Sequence, residues 1–167
     1  MPNWCMNSLT IKGNPDKLFA LKEAADRRGL LQHMVPMPQE YLSDDSWYSW
    51  RLDKWGTKWD VGEVDAELDG DTLTINFDSA WGPPTEAYGG YVEANEDMQI
   101  EASYYEPGMC FVGWYDSSEE LDQSFEVDFS EEDWADDIPQ DLIDDWGLDN
   151  EYENWKEWQE DENDDDS

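Results

Sequence analysis

Glu63-Val64-Asp65-Ala66-Glu67-Leu68-Asp69-Gly70-Asp71-Thr72-Leu73-Thr74-Ile75-Asn76-Phe77 alternates on both sides of an Asp-Gly pair. Val64, Ala66 and Leu68 share one face, Glu63, Asp65 and Glu67 the other. Beyond the pair, Leu73, Ile75 and Phe77 resume the apolar face. A period of two marks half-buried strands. Asp69-Gly70 suits a two-residue hairpin turn of the primed type. The stretch therefore predicts an antiparallel hairpin in mid-chain, and the elements on either side decide which sheet it joins.

Upstream, Trp4–Ile11 alternates in the same way, with Cys5, Leu9 and Ile11 on one face and Ser8 and Thr10 on the other. Gly13 ends this strand. Asn14 is a good helix N-cap and Pro15 a good first helical residue. Leu18, Leu21 and Ala25 then recur at helical spacing until Gly29. Leu30–Val35 is short, apolar and closed by Pro36 and Pro38, which predicts an extended edge segment. Trp47–Trp55 is read as partly helical.

Downstream, Pro83-Pro84 opens a helix to about Asn95, and strands follow over Gln99–Tyr105 and Cys110–Tyr115 around a Glu106-Pro107-Gly108 turn. The order β-α-(edge)-helix-β-β-α-β-β predicts an α+β fold. It is a ferredoxin-like, split βαβ antiparallel sheet with helices on one face. Ser124–Phe129 alternates once more. Ser130 with Asp133 suggests a capped short helix. Pro139–Trp146, closed by Gly147, and Asn150–Glu160 read as two further helices. The expected organisation is a ferredoxin-like core over 1–116, an acidic, mostly helical extension over 117–160 packed on it, and a disordered acidic tail over 161–167.

The charge is unevenly placed. Residues 1–60 carry eight acids and eight Lys or Arg; the rest of the chain carries the other 36 acids and one base, Lys156, and hence the whole net charge of −35. Self-repulsion of this size opposes a compact state, so a strongly positive partner is the first explanation to test. At 38% hydrophobic and 14% aromatic residues, with eleven Trp, the chain has the apolar mass for a core that acidic disordered chains lack. No apolar run is long enough to span a membrane. The N-terminus has no basic and apolar leader regions, so a cytoplasmic location is expected, with Cys5 and Cys110 reduced and buried in strands.

Val35-Pro36-Met37-Pro38, Trp55-Gly56-Thr57-Lys58-Trp59, Phe77-Asp78-Ser79-Ala80-Trp81-Gly82-Pro83-Pro84 and Tyr104-Tyr105-Glu106-Pro107-Gly108 follow the opening Met1-Pro2-Asn3-Trp4-Cys5-Met6-Asn7 in a definite order. Together, over about residues 1–116, they resemble the YubB-like, ferredoxin-like proteins of bacteriophages and conjugative plasmids. The resemblance implies a mobile-element origin and the ferredoxin-like fold, but no activity. The acidic region after Asp116 and the loss of bases after Lys58 depart from that family's pattern.

The chemical motifs are weak. Asp65-x-Glu67-x-Asp69-Gly70 has Asn76 where a calcium loop needs its bidentate Glu, and the hairpin accounts for Asp69-Gly70. His33 is the one histidine, which argues against zinc. Phosphate-loop, dinucleotide and serine-hydrolase signatures are absent. No catalytic residue, metal or cofactor is expected. The tryptophans around Trp55–Trp59 and Trp81 read as packing; Lys54 and Lys58 are the only cations near them.

Duplex DNA carries one charge per ~1.7 Å, so 35 charges equal roughly 60 Å of duplex, on a domain about 40 Å across. A solubility role needs a net charge of only about 2–8, and adaptation to salt would acidify residues 1–60 as well. The expectation is a DNA-mimicking inhibitor of a host nucleic-acid-binding defence enzyme, with no direct nucleic-acid binding. The carboxylates expected to carry the contact are Glu126, Asp128, Glu131, Glu132, Asp133, Asp136, Asp137, Asp141, Asp144, Asp145, Asp149, Glu151 and Glu153, supported by Glu63, Asp65 and Glu67. An acidic adaptor that leaves nucleic acid in place, or a small ligand-binding module in the core, are the alternatives. Trp134, Trp146, Trp155 and Trp158 interleave with the acids either as inward anchors or as interface residues.

Overall fold

A computed structural model describes residues 3–43 and 45–165. The central hairpin forms as β2 (Asp65–Asp69) and β3 (Thr72–Ala80), with Gly70 at φ +62° in its turn. β1 (Trp4–Gly13) lies antiparallel beside β3, with Leu9 opposite Ile75 and Ile11 opposite Leu73. β4 (Met98–Glu106) flanks the other side of β1, with Ile11 opposite Ile100. The order β2-β3-β1-β4 is the ferredoxin-like sheet, and β5 (Phe111–Asp116) and β6 (Leu121–Glu126) extend it past β4 into six antiparallel strands. The chain is therefore α+β with a ferredoxin-like sheet.

Helices α1 (Pro15–Asp26), α2 (Leu30–Met34), α3 (Ser46–Lys54) and α4 (Thr85–Ala94) supply the main core with one face of that sheet. Leu9, Ile11, Leu73, Ile75, Phe77 and Ile100 point into it, at alternate positions of three adjacent strands. Asn14 caps α1 as expected, its Oδ1 accepting from Asp16 N at 2.9 Å. The left-handed residue after α1 is Arg28 at φ +64°, one position before the expected Gly29.

Leu30–Val35 is not an extended edge. It is the short helix α2, because Asp60 reaches back across the fold and its carboxylate accepts from Leu31 N and Gln32 N, both at 2.9 Å. Those are two of the donors a helix start leaves without partners. A cap 29 residues away has no local signature.

The acidic extension packs on the opposite face of the sheet. Tyr105 and Val112 point there with Trp114, and meet Val127, Trp134, Ile138, Leu142, Ile143 and Leu148 in a second, smaller core. Helices α5 (Gln140–Trp146) and α6 (Leu148–Asp165) close it, with Gly147 left-handed at φ +60° between them. The helix expected after Ser130 is absent. The Asp128 carboxylate accepts from both Ser130 N and Ser130 Oγ, which holds Ser130 in a turn with Asp128. Successive turns instead carry the chain from Asp128 to Ile138. α6 runs as helix through the expected tail as far as Asp165, and residues 166 and 167 lie outside the described ones. No helix among the described residues is long and apolar enough to cross a membrane.

Candidate functional site

The hairpin alternation decides where the first acids go. A strand's side chains point alternately to the two faces, so burying Ala66, Leu73 and Ile75 sends Asp65, Glu67 and Asp69 to the face that α1–α4 do not cover. The register carries this across the sheet: Glu67 lies opposite Thr74, Thr74 opposite Thr10, Thr10 opposite Glu101, and Glu101 opposite Asp116. A second row runs Asp65, Asn76, Ser8, Ser103 and Trp114. This half-sheet is a polar surface with its acids at the β2 edge and at β4–β5. Lys12, opposite Thr72 and Gln99, is the one base on it among the described residues. Successive acids along β2 stand about 6.8 Å apart. Edge acids also discourage strand pairing with another chain, so β2 by itself does not specify a partner.

The extension covers the β4–β6 part of this face and reaches Met6 on β1. Where α5 meets the open part, a groove of about 420 Å³ is lined by Ser8, Thr10, Trp114 and five carboxylates: Glu101, Asp116, Glu119, Asp141 and Asp145. Asp141 and Asp145 are four residues apart on α5, and like charges at that spacing destabilise a helix by a few tenths of a kcal/mol. Asp149 and Glu153 repeat the arrangement on α6.

All but one of the sixteen carboxylates singled out in the sequence are exposed. The other, Asp128, is half-buried against Ser130. Asp141, Asp144, Asp145, Asp149, Glu151 and Glu153 lie on α5 and α6. Glu131, Glu132, Asp133, Asp136 and Asp137 lie on the turns before them. Glu126 ends β6, and Asp65 and Glu67 are on β2 with Glu63 in the loop before it. Of these sixteen, and counting cations among the described residues, only Glu153 has one within ion-pair distance, Lys156 at 3.7 Å. Asp144 accepts from Gln140 Nε2 at 2.9 Å. The structure thus spreads the tail carboxylates around the second core, with Asp141 and Asp145 beside the sheet, Glu151 and Asp128 in a groove beside α6, and Glu126, Glu131, Asp133 and Asp137 beside the turns, while Asp65, Glu67 and Glu63 stand apart on β2 and the loop before it.

The bases of the N-terminal segment sit mainly on the helical side. Lys17 and Lys22 on α1 pair with Asp97 at 2.6 Å and Asp26 at 2.9 Å. Arg51 on α3 lies over the rings of Trp47 and Trp55, 5.0 and 4.9 Å from their centroids. Lys58 covers Trp59 at 4.2 Å. The charge split of the sequence is therefore only partly a split between the two faces of one sheet, since α4, with Glu86 and Glu93, lies on the helical side and Lys12 on the other.

Two expectations change. Cys110 is not buried in a strand: it is exposed at φ +61° in the turn between β4 and β5. The turn is held from within by the fully buried Glu106, whose carboxylate accepts from Gly108 N and Met109 N. Burial, then the charge of Glu106, raises the Cys5 thiol far above its ordinary range. Cys110 is raised by partial burial and by Glu106, Asp128 and Glu126. Neither thiol is set up as a nucleophile, and both are free.

The tail tryptophans also divide. Trp134 is 9% exposed, edge-on to Phe129 at 5.0 Å and 5.3 Å from Tyr152; Trp146 and Trp155 are half-buried. Trp158 is 56% exposed. Sequence spacing missed the acids contributed by the sheet itself, Glu101 and Asp116, because their place beside α5 depends on the β1–β4–β5 register. Among the described residues, no group of three His, Cys, Asp or Glu is placed to hold a metal ion.

Fold and surface together define a class: a ferredoxin-like α+β protein whose second sheet face carries an acidic extension. No family model and no curated protein matches the chain. Among solved structures it is similar to the crystal structure of a protein api92 from Yersinia pseudotuberculosis, of the family model DUF1281, with a TM-score of 0.42 and 21% identity. That match covers 59% of this chain and 39% of the Yersinia chain, so it spans well under half of the latter's length.

Proposed function

We propose that this protein is an acidic DNA mimic, encoded by a phage or plasmid, which acts in the bacterial cytoplasm. It inhibits a nucleic-acid-binding defence enzyme, a CRISPR or restriction nuclease, by occupying its positively charged DNA groove. The observation that carries the reading is the clustered set of exposed tail carboxylates, of which only Glu153 has a cation within ion-pair distance among the described residues. Isolated surface acids are worth little, but a field of one sign steers association and excludes competing polyanions. DNA-binding enzymes hold duplex largely through its phosphates, so carboxylates on a rigid scaffold compete without reading sequence. The reading needs no catalytic residue and no cofactor.

The test is a displacement assay. A fluorescent duplex bound to a defence nuclease is titrated with this protein at 50 and 300 mM salt. Mimicry predicts displacement that weakens strongly at the higher salt. Replacing Asp141, Asp145, Asp149 and Glu151 by their amides should weaken it stepwise, with each single change within roughly 1 kcal/mol. A ternary complex of nuclease, duplex and this protein would refute mimicry and support an adaptor.

A further inference from the structure

One side of α6 faces a groove unlike the acidic one beside α5. Glu151, Asn154, Trp155 and Trp158 recur at helical spacing and line about 430 Å³ of open space against the β4–β5 turn. Phe129 and Trp155 form an aromatic wall, their rings 6.3 Å apart. Tyr105 and Val127 lie at the bottom, exposed Cys110 on the opposite bank, and Asp128 and Glu151 also line the space. Trp158 leaves more than half of its surface in water, a contact area that the second core does not use.

We infer that this groove seats an arginine side chain presented by a basic protein partner, an inference that rests on the mimic reading for the partner's charge. The chemistry selects the residue. A purely apolar group would strip water from the exposed Glu151 carboxylate and leave it unpaired, and would desolvate Asp128 beyond its bonds from Ser130. An acidic group is repelled by them. An ammonium is a compact, strongly hydrated charge, whereas a guanidinium is planar, more weakly hydrated, stacks on an indole face and grips a carboxylate through two N–H groups. The chain already makes such contacts internally, with the Arg51 guanidinium over Trp47 and Trp55. Arginines that hold phosphates in a DNA groove would meet here a carboxylate and an indole together, a combination that DNA backbone does not offer.

The experiment uses the full chain and two labelled probes, nona-arginine and nona-lysine, at 0.15 M salt. The arginine peptide should bind about fivefold more tightly, the ratio expected from one partly desolvated stacking contact. Trp158→Ala should reduce that ratio to near one with little change for the lysine peptide. Glu151→Gln should narrow it as well, so the inference does not hang on one variant. Asp141→Asn with Asp145→Asn, outside this groove, should weaken both peptides alike. Cys110 is a built-in reporter, because Cys5 is buried. Its alkylation should slow when the arginine peptide is bound, and less so in Trp158→Ala. Equal affinities for the two peptides, an arginine preference that survives both groove variants, or unprotected Cys110 would each overturn the inference. An arginine preference without displacement of duplex from nucleases would leave the groove standing and remove the mimic reading; displacement without the preference would do the reverse.

Discussion

Trp134→Ala should release the acidic extension from the sheet while leaving the ferredoxin-like core folded. Trp134 is the largest side chain in the second core and is 9% exposed. A buried Trp removes about 150–250 Å² from water, worth about 4–6 kcal/mol at roughly 25 cal/mol per Å². Its loss also deletes the ring contacts to Phe129 and Tyr152. Measured truncations of this kind cost about 3–5 kcal/mol. That is large for a unit of only eight buried residues, but the main core shares none of them. Hydrogen exchange followed by mass spectrometry is the assay. Amides of β6, α5 and α6 should exchange faster by two to three orders of magnitude, a factor of ten per about 1.4 kcal/mol, with β1 and β3 unchanged. Equal acceleration in β1 and β3 would show that the two cores unfold as one and refute the reasoning. Unchanged protection in α6 would show that Trp134 is not the anchor.

Asp60→Ala should cost about 2 kcal/mol, read from chemical denaturation, because its carboxylate accepts from Leu31 N, Gln32 N and Val61 N. Burial outweighs those bonds and the nearby Arg51, and holds the Asp60 carboxyl above its ordinary value of 3.8. The folded state therefore keeps the proton to higher pH than the unfolded state. Stability is greatest below the unfolded value and falls as pH rises through the folded one, so Asp60→Asn should flatten the fall of stability on the alkaline side of the ordinary value of 3.8. Gly113→Ala should cost about 1–3 kcal/mol in a melting experiment, because a Cβ there runs into the Tyr104 hydroxyl and ring and the Gln123 carbonyl.

What was legible in the sequence was what is local. The Asp69-Gly70 hairpin, the Asn14-Pro15 helix start and the Gly147 stop each depend on residues a few positions apart, and each stands where the pattern put it. What was lost depends on distant partners. α2 takes its cap from Asp60, 29 residues from Leu31. The Ser124–Phe129 alternation overshoots β6, which ends at Glu126 before Val127 N bonds back to Cys110 O. Gly113 reads as a weak strand residue until Tyr104 is seen lying across it. At the site, the tail acids were legible by composition alone. Their junction with Glu101 and Asp116, and the difference between buried Trp134 and open Trp158, follow from which sheet face the extension covers.

That choice of face bears on why so much unbalanced charge is compatible with a fold. Had the extension packed against α1–α4, its carboxylates would have met Lys17, Lys22 and Arg51, and the net field would have been partly cancelled by internal pairs. Those bases are instead engaged with Asp97, Asp26 and the tryptophan rings, on the far side of a sheet whose period of two keeps the faces separate. The extension is held by an apolar core of its own, not by ion pairs, so neutralising surface acids relieves repulsion and leaves the anchoring contacts intact. Carboxylate-to-amide substitutions in the tail should therefore raise the melting temperature as they weaken partner binding. Opposite signs on stability and binding are what a surface kept for a partner produces; acids serving the fold would lose both together.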